Sequence, residues 1–164
     1  MFTQERYCNK SCCTPTNPNN TQPNHPASNG LAYALYYQLD ALTVAANDGI
    51  DFPLTAAEST GDFLSNGNQI QILQPGVYQI TYIINIPAET TLTSTFSLQM
   101  NRQNVPGTER VIAKTGVDTP TSAIAQTIIT VCNPVSIRVL STAAIDVTGE
   151  EDEVLASLFI QQLA

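Results

Sequence analysis

From Leu31 onward the sequence is a succession of short runs rich in β-branched and aromatic residues, each broken by turn chemistry before it reaches helical length. Evenly spaced runs of this kind constrain a chain to an all-β sandwich or barrel. The runs read LAYALYYQL (31–39), ALTVAA (41–46), NDGIDFPL (47–54), NQIQIL (68–73) and VYQITYIINI (77–86). They continue with STFSLQMN (94–101), ERVIAK (109–114), AIAQTIITV (123–131), VSIRVLST (135–142) and EVLASLFIQQL (153–163). Between them lie Asp48-Gly49, Asn66-Gly67, Gln74-Pro75-Gly76, Val105-Pro106-Gly107 and Asn133-Pro134. Glycine supplies positive φ and proline presets φ near −65°, so each of these is a turn signal with a mechanism. Residues 31–46 also suit a helix, since Ala and Leu are good helix formers, but their tyrosines and β-branched residues favour strands.

Composition narrows the function classes. Hydrophobic residues make up 43% and charged residues 12%, a balance suited to strands and tight turns. The net charge is −8 with only six Lys and Arg, which leaves no basic stripe to neutralise phosphates, so no nucleic-acid partner is expected. No apolar run approaches the ~20 residues that span a bilayer, so no membrane partner is expected either. The opening MFTQERYCNK has no apolar core, and no Sec-type signal peptide is expected.

The first thirty residues differ in kind from the rest. Residues 14–30, TPTNPNNTQPNHPASNG, are rich in Pro, Asn and Thr and nearly devoid of aliphatic side chains. Proline blocks ladder hydrogen bonds and favours extended geometry, so this segment reads as a linker. Ahead of it, residues 1–13 form a short head. Its candidate anchors are Phe2 and Tyr7, its basic residues Arg6 and Lys10, and its thiols Cys8, Cys12 and Cys13. The expected division is a connector arm and linker over 1–30 and a globular domain over 31–164. Three thiols in a polar segment bury nothing there, so Cys8, Cys12, Cys13 and the distant Cys132 are disulfide candidates, with reduced thiols as the alternative.

Two runs are apolar on both faces. In 77–86, Tyr78, Ile80, Tyr82 and Ile84 line one side while Val77 and Ile83 lie on the other. In 153–163, Val154, Ala156, Leu158 and Ile160 alternate with Leu155, Phe159 and Leu163. A strand with one solvated face alternates apolar with polar, so a sheet apolar on both faces needs a second covering. Association of subunits supplies one; the chain's own loops are the alternative. Tyr78, Tyr82, Leu155 and Phe159 are therefore candidates for the core or for a subunit interface.

Chemistry-bearing constellations are missing from the sequence. His25 is the only histidine and sits in the linker, so no Ser-His-Asp triad, Cys-His dyad or His-based zinc site is expected. The cysteine spacing matches no standard metal finger and no Gly-rich phosphate loop is present. The expectation is a non-enzymatic protein with no catalytic residues, cofactor or metal.

The segment QPGVYQITYIIN (74–85) resembles the Pro-Gly-x-Tyr turn and strand of the complement/tumour-necrosis-factor-like globular head. The order of runs, CNPVSIRVLS (132–141) and ASLFIQQL (156–163) are similar to one bacterial branch of that family, the C-terminal domain of collagen-like exosporium glycoproteins of spore-forming bacteria. The resemblance covers roughly residues 31–164 and implies a jelly-roll sandwich that forms compact homotrimers. Those glycoproteins carry a Gly-x-y stalk, whereas the 8 glycines here show no period of three. In its place stands the arm, similar to the connector of endospore appendage subunits, with Cys12-Cys13 matching the paired cysteines of such connectors.

An eight-stranded roll of that kind places its successive loops at alternate ends. The acidic run Glu150, Glu151, Asp152 and Glu153 then falls at an apex, opposite both termini, and Cys132 falls at the base beside the arm. The run reads either as a solvated loop, as oxygen ligands for calcium, or as the receiver of Arg6 and Lys10 from the next subunit. The resemblance implies a structural subunit of a spore-surface fibre or exosporium layer, with copies of itself and other spore-surface proteins as partners. The alternative is a trimeric binding or adhesion head on the exosporium or at a fibre tip.

Overall fold

The structure, a computed structural model, describes residues 31–59, 61–115 and 119–164. The arm over 1–30, with Phe2, Arg6, Tyr7, Cys8, Lys10, Cys12, Cys13 and His25, lies outside the described residues.

The first seven strands are β1 (Tyr33–Leu39), β2 (Ala41–Val44), β3 (Asp48–Gly49), β4 (Leu54–Glu58), β5 (Phe63–Asn66), β6 (Gln69–Ile72) and β7 (Gly76–Ile86). The rest are β8 (Leu92–Met100), β9 (Gln103–Asn104), β10 (Arg110–Lys114), β11 (Thr121–Val131), β12 (Val135–Ser141), β13 (Ile145–Thr148) and β14 (Val154–Gln162). One antiparallel sheet runs β11-β7-β14-β1-β4. The facing sheet runs β10-β8-β12-β6-β5, with β3 on β12 and β9 on β8, while β13 and β2 form a separate pair. Apart from the β5–β6 and β8–β9 hairpins, neighbours within each sheet are not consecutive in sequence, the signature of a Greek-key jelly roll. Residues 31–46 are strand, as their tyrosine and β-branched content predicts.

Turn chemistry sets the registers. Asn66 pairs with Gln69 around Gly67, whose φ of 62° suits the first position of a two-residue hairpin loop. At Val105-Pro106-Gly107-Thr108 the Thr108 N–H donates to the Val105 carbonyl, and Gly107 takes φ 81°. Pro followed by Gly at the two central positions is the type II arrangement. Asp48-Gly49 departs from its turn reading. It forms β3 and pairs with Leu140 and Ser141, and the bend falls earlier, where Asn47 takes φ 61°. The Asp48 carboxylate accepts from the Gly49 N–H at 2.7 Å and from Asn68 Nδ2 at 3.2 Å, so the side chain stitches two segments together.

The core lies between the two main sheets. β7 turns Tyr78, Ile80, Tyr82, Ile84 and Ile86 inward, and all five are essentially inaccessible. They meet Phe96 and Leu98 of β8, Ile137 and Val139 of β12, and Ile70 and Ile72 of β6. Leu155 is buried beside Ala156, although strict alternation assigns the two to opposite faces. The register of β14 against β1 shifts where Gln38 faces Ala156 and Leu39 faces Val154, and this bulge directs both side chains inward. Leu155 is thus a core residue.

Tyr82 joins the layers. Its hydroxyl lies 2.5 Å from the Thr108 carbonyl and 3.1 Å from that of Phe96, so a phenol on one sheet satisfies backbone of the other. The Tyr78 hydroxyl donates to the Gln74 carbonyl at 2.9 Å. Burial pushes the pKa of both up to about 12. The Tyr36 hydroxyl is buried without a partner at hydrogen-bonding geometry among the described residues. Burial first, then the neighbouring Glu58 carboxylate, raises its pKa above the ordinary phenol range.

Tyr82→Phe is expected to lower unfolding stability by about 1–2 kcal/mol, since it strands a buried carbonyl, as read from the denaturant midpoint. Tyrosines in the unfolded chain ionise near pH ~10. Because the folded values of Tyr78 and Tyr82 are higher, stability is full below pH ~10 and falls as pH climbs towards about 12. A pH titration of the midpoint checks this, and Tyr82→Phe should flatten its alkaline limb.

Candidate assembly face

The sheet β11-β7-β14-β1-β4 turns one face to the core and the other outward, and cross-strand register fixes what the outward face displays. Tyr37 stands level with Ser157, Ile83 and Ile124. Leu35, Phe159, Thr81 and Gln126 form the next row, and Tyr33, Gln161, Gln79 and Ile128 the third. Leu54 of β4 pairs with Tyr37 at the sheet margin. Tyr33, Leu54, Ile124 and Ile128 are exposed, the last by 62%. Leu35, Tyr37, Ile83 and Phe159 are half-buried.

Seven large apolar or aromatic side chains thus share the outward face of this sheet (Tyr33, Leu35, Tyr37, Ile83, Ile124, Ile128, Phe159), and Tyr33, Ile124 and Ile128 are exposed. A continuous patch of this kind on a folded domain marks an interaction surface. The facing sheet is different. Its outward residues include Gln99, which receives Arg138 Nε at 2.8 Å, and Ser136, whose hydroxyl donates to Gln69 at 3.0 Å. Arg138 also approaches Asp48 at 3.8 Å. Val111 and Leu64 stand exposed on its two edge strands, β10 and β5, away from these polar contacts.

Of the interface candidates named from sequence, Tyr78, Tyr82 and Leu155 belong to the core, and Phe159 alone stands on the outer face. Tyr33, Leu35, Tyr37, Ile124 and Ile128 join it there. Alternation within β1 and β11 is the signal that carries them, since odd residues of β1 and even residues of β11 point away from the core.

The two ends of the sandwich differ. At one end Gln162 N–H donates to the Ala32 carbonyl and Val77 N–H to the Ala164 carbonyl, both at 2.7 Å. Val131 pairs with Gly76 there, and Cys132 follows directly. Cys132 therefore lies at the end where the chain enters the domain. Three strand spacings of about 4.8 Å separate β1 from β11, roughly 14 Å.

At the other end Glu150, Glu151, Asp152 and Glu153 form a loop pinned to the β1–β2 turn. Asp40 N–H donates to the Glu153 carbonyl, Gly149 N–H to the Asp40 carbonyl, and Asp152 N–H to the Asp40 carboxylate at 2.8 Å. The Glu153 carboxylate folds back to accept from the Glu150 N–H at 2.9 Å. With Pro87, Glu89 and Pro120 opposite, this loop lines an open cleft of about 710 Å³. Among the described residues no group of three or more His, Cys, Asp or Glu side chains is placed to hold a metal ion.

No family model and no curated protein matches the sequence. Solved structures match the fold. Murine APRIL superposes with a TM-score of 0.61 at 9% identity, over 82% of this chain and 100% of that one. The Eiger TNF of S. frugiperda gives 0.60 at 14% identity, over 82% and 93% of the two chains. The globular domain of zebrafish complement 1qA gives 0.54 at 9% identity, over 82% and 96%. The chain is an all-β jelly roll of the tumour-necrosis-factor type.

Ile124→Glu and Ile128→Glu place charge on the outer face at positions exposed in the single subunit. The fold should tolerate them within about 0.5 kcal/mol. Assembly should not, because an unpaired buried carboxylate is costly. In reducing buffer, light scattering is expected to give the 17.7 kDa mass of one chain for the double variant, with an unchanged far-UV circular dichroism spectrum.

Proposed function

We propose that this chain is a non-enzymatic structural subunit that closes into a homotrimer through the outer face of β11-β7-β14-β1-β4 and links trimers through its N-terminal arm. The observation that carries the reading is the contrast between the two outer faces: the first gathers Tyr33, Ile124 and Ile128 exposed in adjoining rows, whereas the second is polar at its centre and exposes Val111 and Leu64 only on its edge strands. Burying apolar surface at ~25 cal/mol per Å² is the driving force for covering the first.

The arm provides the second contact. Seventeen residues, 14–30, can span up to about 60 Å, enough to place Cys8, Cys12 or Cys13 beside Cys132 of the same subunit or of a neighbour. Phe2 and Tyr7 are the anchors in this scheme. Arg6 and Lys10 meet the Glu150–Glu153 loop of the next copy, setting orientation, since exposed ion pairs contribute only ~0–1 kcal/mol each. A head-to-tail contact that does not close on itself builds a filament.

The resemblance of the QPGVY turn and the paired cysteines to exosporium and appendage proteins supports a place on the bacterial spore surface, in an appendage fibre or the exosporium layer, beside other spore-surface proteins. A trimeric adhesion head is the second reading, favoured by the open cleft at the end opposite Ala32, where the chain enters the domain.

Negative-stain electron microscopy of the purified, renatured full chain separates the two readings. Long fibres support the structural subunit, whereas discrete particles at every concentration and redox condition support the head. Deleting residues 1–30 should abolish fibres and leave soluble trimers. On non-reducing electrophoresis the assembled protein should run as multimers that collapse with reductant; single-chain bands without reductant would rule out covalent linkage between subunits.

A further inference from the structure

The outer face is divided in its chemistry. Its β4-β1-β14 half carries aromatic and aliphatic bulk, Tyr33, Leu35, Tyr37 and Phe159, while its β7-β11 half carries isoleucines around a polar pair. That pair is Gln126 and Thr81, directly opposite each other on adjacent strands, with Gln126 Nε2 donating to Thr81 Oγ1 at 3.2 Å. Ile124 and Ile128 flank Gln126 along β11.

The pair leaves capacity unmet. A glutamine amide has two N–H donors and a carbonyl, and a threonine hydroxyl has its own proton. One N–H is engaged here, so a second donor, an acceptor and the threonine proton remain. Covering the face with purely apolar surface would strand them, at about 1–3 kcal/mol for each buried group left unmade. On the other half, the hydroxyls of Tyr33 and Tyr37 have no hydrogen-bond partner among the described residues.

Symmetry brings these groups to one level. For the β7-β11 half of one copy to meet the β4-β1-β14 half of the next, the ring axis must run along the strands, and rotation about an axis preserves height. Gln126 and Thr81 share a row with Leu35 and Phe159, so each pair arrives between Tyr33 and Tyr37 of the neighbour. Each tyrosine stands two residues along β1 from Leu35, about 7 Å and on opposite sides, so the glutamine amide and the threonine hydroxyl can each turn towards one of them.

Resting on self-association through this face, we propose that Gln126 and Thr81 are the register and copy-number determinants of the assembly, recognising the Tyr33 and Tyr37 hydroxyls of the adjacent copy. The isoleucines and Phe159 supply adhesion without direction. The polar pair penalises every slipped or mirrored packing that leaves it dry, as a lone buried polar residue fixes register in a coiled coil.

Native mass spectrometry of the full chain under reducing conditions tests this, with Gln126→Leu/Thr81→Val, Tyr33→Phe/Tyr37→Phe and the combined variant. Wild type should show one closed species. The Gln126→Leu/Thr81→Val variant should still associate but spread over two or more copy numbers, and Tyr33→Phe/Tyr37→Phe should spread likewise. Dissociation constants from dilution should be coupled across the two pairs by at least about threefold. A single unchanged copy number in both variants, with additive effects, would overturn the assignment and leave self-association standing. A wild type that stays a single chain would overturn self-association and this assignment together.

Discussion

Strict alternation along β7 is the constraint on which the rest of the molecule depends. Successive side chains of a strand point to opposite faces, so Tyr78, Ile80, Tyr82, Ile84 and Ile86 can fill the sandwich only if Val77, Gln79, Thr81, Ile83 and Asn85 face outward. β11 and β14 hydrogen-bond to β7 on either side and carry the same demand to their own outer residues. A one-residue slip would exchange the two sets and expel the tyrosines from the core. Tyr82 adds a second lock, since its hydroxyl reaches backbone of the opposite sheet only in this register.

Directionality follows from the same topology. β7 is eleven residues long and spans about 35 Å, placing Cys132 and the chain entrance at one end and the acidic loop at the other. The lateral face and the two ends are therefore independent surfaces. Rings closed by the face, as proposed, would have unlike ends, one carrying Cys132 and one acidic, which is the polarity a head-to-tail fibre requires. The proposed spore-surface role uses all three surfaces, and an adhesion head uses the face and the acidic end.

The long strands were legible because their periodicity is long enough to read. β7, β11, β12 and β14 each hold several β-branched or aromatic residues at period two. β4 (LTAAE), β5 (FLSN) and β13 (IDVT) were missed, because so few residues cannot display a period and their pairing comes from tertiary contact. Asp48-Gly49 was read as a turn from local chemistry, but β12 offered it a pairing edge. The inward placement of Leu155 comes from a bulge, which alternation alone cannot foresee. The two-sided apolar character of the sheet was visible in β7 and β14, yet the composition of its outer face was not. Tyr33, Phe159 and Ile128 lie far apart in sequence and share a surface only through register.

Hydroxyl-radical footprinting of the full chain tests most directly whether that face is covered. Ile124 and Ile128 are 53% and 62% exposed in the single subunit, and Val111 and Leu64, outside this sheet, are 68% and 54% exposed. Covering by a second copy predicts that Tyr33, Ile124 and Ile128 are protected in concentrated protein and become reactive on dilution, while Val111 and Leu64 react throughout. Equal labelling of both sets at every concentration would contradict the account.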